Sequence, residues 1–256
     1  MRRRALSQNF FHNRKLVEKL VRLSSIGQND TVLEIGPGRG IITQELLQKS
    51  RKVIAVELDT QLVTALQTKF KDQLHKLHLV NKDILAFKLP SFQYKVVSNT
   101  PFSIEGKIIR KLLNADNPPE ISYLVMRKDL AKRLSGKYNE GFFSAYYKPW
   151  FRFTVLYYFQ KIDYKPAATM DTVYLRIEKK DDPQLNSNLQ KKYGIFLAQT
   201  FGGGKTLKHN LKAFLSYEQM KRLSKKYGFQ IDSRPTDIKY EQWVGIFQFL
   251  LSTGKI

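Results

Sequence analysis

Asn99-Thr100-Pro101-Phe102, which follows the apolar run Tyr94 to Val97, has the residue types to hold and stack a planar ring bearing an amino group. The Asn99 side-chain carbonyl and the Thr100 backbone carbonyl can accept both N–H bonds of one amino group, Pro101 stiffens the turn, and Phe102 offers a ring face. Methyl transfer to an exocyclic nucleobase nitrogen has these requirements, because that lone pair is delocalised into the ring and must be drawn out of plane. A strong base is not needed when the methyl is already activated, since alignment alone supplies up to roughly 7–11 kcal/mol. By itself, however, Asn-Thr-Pro is an ordinary turn and Phe an ordinary core residue.

A second set of residues could hold the activated group. Glu34-Ile35-Gly36-Pro37-Gly38-Arg39-Gly40 lies between an apolar run and a helical pattern, where glycines let backbone approach a ligand and a helix start offers N–H groups. The spacing is G-x-G-x-G. A dinucleotide fingerprint would need a glycine at Ile41, and no Lys-Ser/Thr pair follows to make a Walker loop. Glu57, about twenty residues on, ends the next apolar run, where an acid can accept ribose hydroxyls. Asp83, in Asn81-Lys82-Asp83-Ile84, adds an acceptor for an adenine amine. Together they suit S-adenosyl-L-methionine better than NAD, although a small-molecule methyltransferase would also fit these residues.

The elements that must position these groups alternate. Leu16, Leu20, Val21 and Leu23 mark a helix ending near Gly27; strands are predicted at Thr31 to Ile35, Lys52 to Val56, Leu77 to Val80, Tyr94 to Val97 and Ile121 to Met126. Helices are predicted after Gly40 and over Leu62 to Phe70, Ile104 to Leu113 and Lys128 to Leu134. The alternation implies a doubly wound, mainly parallel α/β sheet, with Phe151 to Phe159 and Thr172 to Ile177 as an antiparallel pair at its edge. Beyond Leu185 only helical signals occur, including a capping box at Ser216 and Gln219, a closing Gly228, and an amphipathic stretch carrying Trp243, Val244, Ile246, Phe247 and Leu250. A boundary near Pro183 is therefore expected, giving domains 1–183 and 184–256.

Composition narrows the partners. Lys plus Arg number 44 against 22 Asp plus Glu, a formal charge of +22, which calls for a polyanion such as nucleic acid or an anionic membrane. No run approaches the ~18 apolar residues of a spanning helix, and no apolar segment follows Arg2-Arg3-Arg4. Recognisable functional sequence begins by Gln8, so no cleaved leader is expected. The absence of Cys excludes disulfides and thiolate metal sites. His75 and His78 lack an obvious third ligand, and no metal is expected.

The ensemble resembles the rRNA adenine N6-methyltransferases of the Erm and KsgA types. Four blocks match in order: Gln8-Asn9-Phe10-Phe11, Val32 to Gly40 with Ile41-Ile42-Thr43, Ala55 to Asp59, and Asn99 to Phe102. The resemblance covers essentially the whole chain. It implies a Rossmann-like S-adenosyl-L-methionine-dependent methyltransferase domain with a small C-terminal all-helical RNA-binding domain, acting in the cytoplasm as a monomer. It also implies that Asn9, Phe11, Gly36, Gly38, Glu57, Asp83, Ile84 and Asn99 line the donor site, and that Phe102 stacks on the target adenine.

Two departures stand out. Thr100 replaces the family's aliphatic residue, which a backbone role tolerates. In the segment that the family writes F-x-P-x-P-x-V-D, Tyr164, Pro166 and Asp171 fit whereas Ala168 and Met170 do not. Phe201 to Leu207, Arg234 to Asp237 and Gln242-Trp243 look more like Erm-type sequences, which implies mono- or dimethylation of one adenine in 23S rRNA and resistance to macrolide, lincosamide and streptogramin B antibiotics. The alternatives are KsgA-type dimethylation of two adjacent adenines in 16S rRNA, and a non-catalytic RNA-binding factor on the same scaffold.

Arg2 to Arg4, Arg14-Lys15, Arg127-Lys128, Lys132-Arg133, Lys205 with Lys208, and Lys221-Arg222 with Lys225-Lys226 can supply phosphate contacts, which carry no sequence information and leave recognition to RNA shape and an extruded base. Affinity for an rRNA fragment is therefore expected to fall steeply with salt in a filter-binding titration. Salt-insensitive binding would contradict a phosphate-dominated interface.

Overall fold

The computed structural model describes residues 10, 11, 13–136, 139–165 and 169–256. In chain order the elements begin with β1 (Phe10–Phe11), α1 (Arg14–Leu23), β2 (Thr31–Ile35), α2 (Ile41–Lys49), β3 (Lys52–Glu57), α3 (Thr60–Lys69), β4 (Leu77–Asn81), β5 (Lys95–Asn99), α4 (Glu105–Leu113) and β6 (Ile121–Arg127). They continue with α5 (Lys128–Ser135), α6 (Phe142–Tyr147), β7 (Phe151–Tyr158), β8 (Tyr164–Lys165), β9 (Thr172–Lys179), α7 (Gln190–Gly202), α8 (Leu207–Leu211), α9 (Tyr217–Tyr227) and α10 (Tyr240–Ser252).

Seven strands form one sheet in the order β4-β3-β2-β5-β6-β9-β7. The pairs β4·β3, β3·β2, β2·β5 and β5·β6 are parallel, and β9 runs antiparallel to β6. Burial explains the sequence pattern. Every residue of β2 is buried, as are five of six in β3, because helices cover both faces and both must therefore be apolar. The chain adds strands outward from β2 through β3 and β4, then returns to the other side of β2 for β5 and β6. The sheet thus has a topological switch point between the carboxyl ends of β2 and β5, where such folds bind ligands.

The chain divides into two compact units, residues 1–131 with 154–179 and residues 132–153 with 180–256. This corrects the single boundary expected near Pro183. Residues 132–153 group with the C-terminal helices because the aromatic α6 region packs there: Trp150 meets Tyr193 at 5.8 Å between centroids, and the Tyr193 hydroxyl donates to the Ala145 carbonyl at 3.2 Å. The α6 helix itself, six residues without a clear apolar period, was not foreseen. Within the second unit, Tyr193, Phe196, Trp243 and Phe247 make the aromatic core. The expected α9 is present, with Ser216 and Gln219 capping each other's backbone and Gly228 closing it at φ 72°. Among the described residues no helix is long and apolar enough to cross a membrane, and no group of three or more acidic or histidine side chains is placed to hold a metal ion.

One buried acid has a thermodynamic signature. Glu34 in β2 is 1% exposed, and neither carboxylate oxygen has a hydrogen-bond partner among the described residues. Burial dominates and lifts its pKa from 4.5 to about 8; Thr43 opposes the rise, Glu57 adds to it, and Lys69 opposes it. Between these two values the folded chain keeps a proton that the unfolded chain has released. The stability this acid contributes is therefore present below pH 4.5 and lost as pH rises toward 8, with a slope of up to about 1.4 kcal/mol per pH unit. Glu34→Gln is expected to flatten that slope in denaturant titrations between pH 5 and 8. An unchanged slope in the variant would contradict the assignment.

Candidate active site

Four strand ends and their turns build one cavity of about 230 Å³ in the first unit. At the end of β2, Gly36, Gly38 and Gly40 all have positive φ, at 67°, 57° and 75°. Their reasons differ. A Cβ on Gly40 would lie 2.6 Å from the Leu66 side chain and 2.7 Å from Phe70, so this glycine lets the turn pack on α3 and its end. A Cβ on Gly36 would meet nothing within 4 Å. That open space faces the cavity, which suits close approach of a ligand to the backbone.

At the end of β3 the buried Glu57 carboxylate is held by three backbone donors. Gly38 N–H donates to Oε2 at 3.1 Å, and Leu58 and Asp59 N–H donate to Oε1 at 2.9 and 3.0 Å. A carboxylate has about four lone-pair sites, so capacity for about one further donor, such as a ribose hydroxyl, is left. With Glu34 protonated at neutral pH, Glu57 does not share the site with a second buried negative charge. At the end of β4, Asn81 ties its side-chain amide to the Glu57 and Leu58 carbonyls at 3.0 and 3.1 Å. The Asp83 side chain accepts from Leu85 N–H at 2.8 Å in a local turn that holds the carboxylate at the rim, with Ile84 buried beside it.

Asn99 is the last residue of β5, one position inside the strand rather than beyond it as the sequence suggested, and pairs in register with Val125 of β6. Ser98 Oγ donates to the Ile35 carbonyl at 2.9 Å, clamping β5 to β2 at the switch point. The Thr100 N–H donates to the Val125 carbonyl at 3.1 Å, and the Pro101 carbonyl accepts from Ile104 N–H at 3.0 Å, which folds the turn into α4. Asn99, Thr100, Pro101 and Phe102 all line the same cavity as Gly36, Gly38, Glu57, Asp83, Ile84 and Phe11. Of the expected donor-site residues only Asn9 is not placed, because it lies outside the described residues.

Phe11 reaches the cavity from a separate support. The two-residue β1 pairs with β8, and the Phe11 ring stacks on Tyr164 at 5.1 Å. The Tyr164 hydroxyl lies 2.7 Å from Thr172 Oγ1, and burial pushes its pKa well up, so it stays neutral. This gives Tyr164, in the degraded family segment, a positioning part; Asp171 is also placed, its carboxylate accepting from Lys128 Nζ at 3.2 Å. Pro166 and Ala168 lie outside the described residues.

Glu105 was missed by sequence reasoning. Buried at the start of α4, it accepts from the Arg127 backbone N–H at 3.1 Å and pairs with the Arg127 guanidinium, which ties the turn after Asn99 to the end of β6. An acid in a helix's first turn reads locally as a dipole partner, so its position signals nothing about Arg127. The arrangement can hold an elongated nucleoside against the glycine turn and Glu57, and place a second planar ring by Asn99 and Phe102. The cradle at Gly36, the anchored carboxylate and the apolar wall of Ile84 and Phe11 fit S-adenosyl-L-methionine.

Comparison with known proteins agrees with this geometry. A family model described as ribosomal RNA adenine dimethylase matches residues 1–252. A Bacillus anthracis protein named rRNA adenine N-6-methyltransferase is 32% identical over 247 residues, covering 94% of this chain and 84% of that protein. A Malacoplasma penetrans (strain HF-2) protein named ribosomal RNA small subunit methyltransferase A is 30% identical over 250 residues, covering 94% and 89%. The crystal structure of the 23S rRNA methyltransferase ErmE shares the fold, with a TM-score of 0.85 at 23% identity over 94% of this chain and 99% of that one.

The Thr100 hydroxyl is buried and has no hydrogen-bond partner among the described residues. Thr100→Val should therefore raise stability by about 1 kcal/mol in a denaturant titration and leave methyl transfer within about threefold. Loss of transfer would show that the hydroxyl, and not only the backbone, is needed.

Proposed function

Because this chain belongs to the ribosomal RNA adenine dimethylase family, and is an rRNA adenine N6-methyltransferase dependent on S-adenosyl-L-methionine, we propose that its substrate is a single adenine of 23S rRNA. On this reading it works in the cytoplasm and protects the ribosome from macrolide, lincosamide and streptogramin B antibiotics. The observation that carries the transfer chemistry is the single cavity shared by Gly36, Glu57, Asp83 and the Asn99 to Phe102 turn. The 23S target is supported by the Erm-like segments of the second unit, which pack together: the Phe201 and Trp243 rings lie 5.3 Å apart, and the Gln242 side chain donates to the Tyr227 and Gly228 carbonyls. A relative named rRNA adenine N-6-methyltransferase also leads one named small subunit methyltransferase A, by 32% to 30% identity, so 16S rRNA is the competing substrate.

S-adenosyl-L-methionine, when bound, would supply an electrophilic methyl whose bond to sulfur breaks on transfer, the leaving group being the neutral thioether S-adenosyl-L-homocysteine. Glu57 would hold the donor by accepting from a ribose hydroxyl, and Asp83 by accepting from its adenine amine. Asn99 Oδ1 and the Thr100 carbonyl accept the two N–H bonds of the target adenine, turning its N6 lone pair toward the methyl, and Phe102 stacks on the base once it has left its helix. The proton released from N6 after transfer goes to water, because a methylated aromatic ammonium is strongly acidic. Alignment and electrostatic complementarity thus carry the rate.

The substrate test incubates the protein with unmethylated 23S and 16S rRNA and maps methyl-adenine by mass spectrometry. Modification of one 23S adenine is expected, and modification of two adjacent 16S adenines would overturn the 23S assignment. Asn99→Ala should lower transfer by ~100-fold or more while donor affinity stays within about tenfold in calorimetry. Full activity of that variant would remove Asn99 from the mechanism.

A further inference from the structure

A groove in the second unit, remote in sequence from the transfer site, combines aromatic, apolar and cationic groups. Its walls are Lys208, His209 and Lys212 of the α8 region and Tyr217 at the start of α9, and its floor is Leu215 and Met220, both buried. Tyr217 is 44% exposed, so one part of its ring is open to a ligand. Two ammonium groups already gather on that ring, Lys221 Nζ at 4.6 Å and Lys208 Nζ at 5.2 Å from its centroid. The ring's negative face holds them. Their mutual repulsion leaves a concentration of positive charge that one phosphate would neutralise.

We propose that this groove binds one unpaired nucleotide of the rRNA substrate, away from the target adenine. The base lies against Tyr217 and the Leu215 and Met220 floor, and its phosphate sits between Lys208 and Lys221. This inference rests on the rRNA-methyltransferase reading and adds a second anchoring point to it. Charge complementarity selects RNA as the occupant: Lys208 and Lys212 line the groove with no acidic residue among its lining, and Lys221 adds a third ammonium against the Tyr217 ring. An aromatic platform beside clustered lysines is how unpaired nucleotides are held without strict sequence demands. The α8 region is itself fixed, since Thr206 caps it through His209 N–H and the Leu207 and Lys208 N–H groups donate to the Ser233 and Ile231 carbonyls. The groove is therefore preformed rather than assembled on binding.

The experiment measures affinity of the full chain for a deproteinised 23S rRNA transcript over a range of salt. Lys208→Ala with Lys221→Ala should weaken binding on the order of tenfold, and should lower the slope of log affinity against log salt by about 0.7, the share of one single-strand phosphate contact. Tyr217→Ala should weaken it by about fivefold or more, whereas Tyr217→Phe, which keeps the ring, should bind like the parent. S-adenosyl-L-methionine affinity, read by calorimetry, should be unchanged in all of them. Independently of any variant, a 4-thiouridine-substituted transcript irradiated with the unaltered protein should cross-link to the peptide containing Tyr217. Unchanged affinity and slope in the folded variants, or no cross-link on that peptide, would overturn the groove. A parent chain that neither binds nor methylates rRNA would instead overturn the function on which it rests.

Discussion

Three backbone N–H groups converge on the Glu57 carboxylate, and that convergence joins the parts of the proposed donor site. Gly38 belongs to the turn after β2, Leu58 and Asp59 to the turn after β3, and one side chain holds both turns. The glycine turn can be shaped this way only because Gly36, Gly38 and Gly40 take positive φ. Asn81 repeats the device one strand further out, tying β4 to the same turn. A buried carboxylate fixed in place in this way is ready to accept from a hydroxyl donor without reorganising, and such preorganisation is where an enzyme gains most.

The other half of the site depends on the opposite side of the switch point. Ser98 clamps β5 to β2, Thr100 reaches across to Val125, and Glu105 ties the following helix to Arg127. None of these groups meets a reacting atom in the mechanism proposed. They set the distance between the glycine turn and the Asn99 amide, and small errors in that distance are costly for a transfer that relies on alignment. Glu34 contributes in another way: protonated at neutral pH, it fills the strand beneath the site without adding charge.

Much of this was legible in the sequence because parallel strands buried on both faces read as continuous apolar runs, and because glycine, acid and amide recur at successive strand ends. The parallel register that brings Gly36, Glu57 and Asp83 to one end of the sheet follows from the βαβ alternation, whereas Asn99 joins them through the pairing of β5 with β2 and β6, since no α-helix separates β4 from β5. What escaped was set by contacts distant in sequence. Glu105 finds Arg127 twenty-two residues away; the two-residue β1 exists only through β8; and residues 132–153 group with the C-terminal helices through aromatic packing that no local period announces. Asn99 shifted into the strand because its backbone still had a partner in Val125.

The central claim is that donor and target adenine meet in one cavity at the switch point between β2 and β5. A bisubstrate compound tests it most directly, one in which the N6 of adenosine is joined by a short link to an S-adenosyl-L-methionine-like moiety, with its dissociation constant measured by calorimetry beside that of S-adenosyl-L-homocysteine. Joining two ligands of one cavity should tighten binding by about 100-fold or more. A bisubstrate compound that binds no more tightly than S-adenosyl-L-homocysteine would contradict the shared cavity.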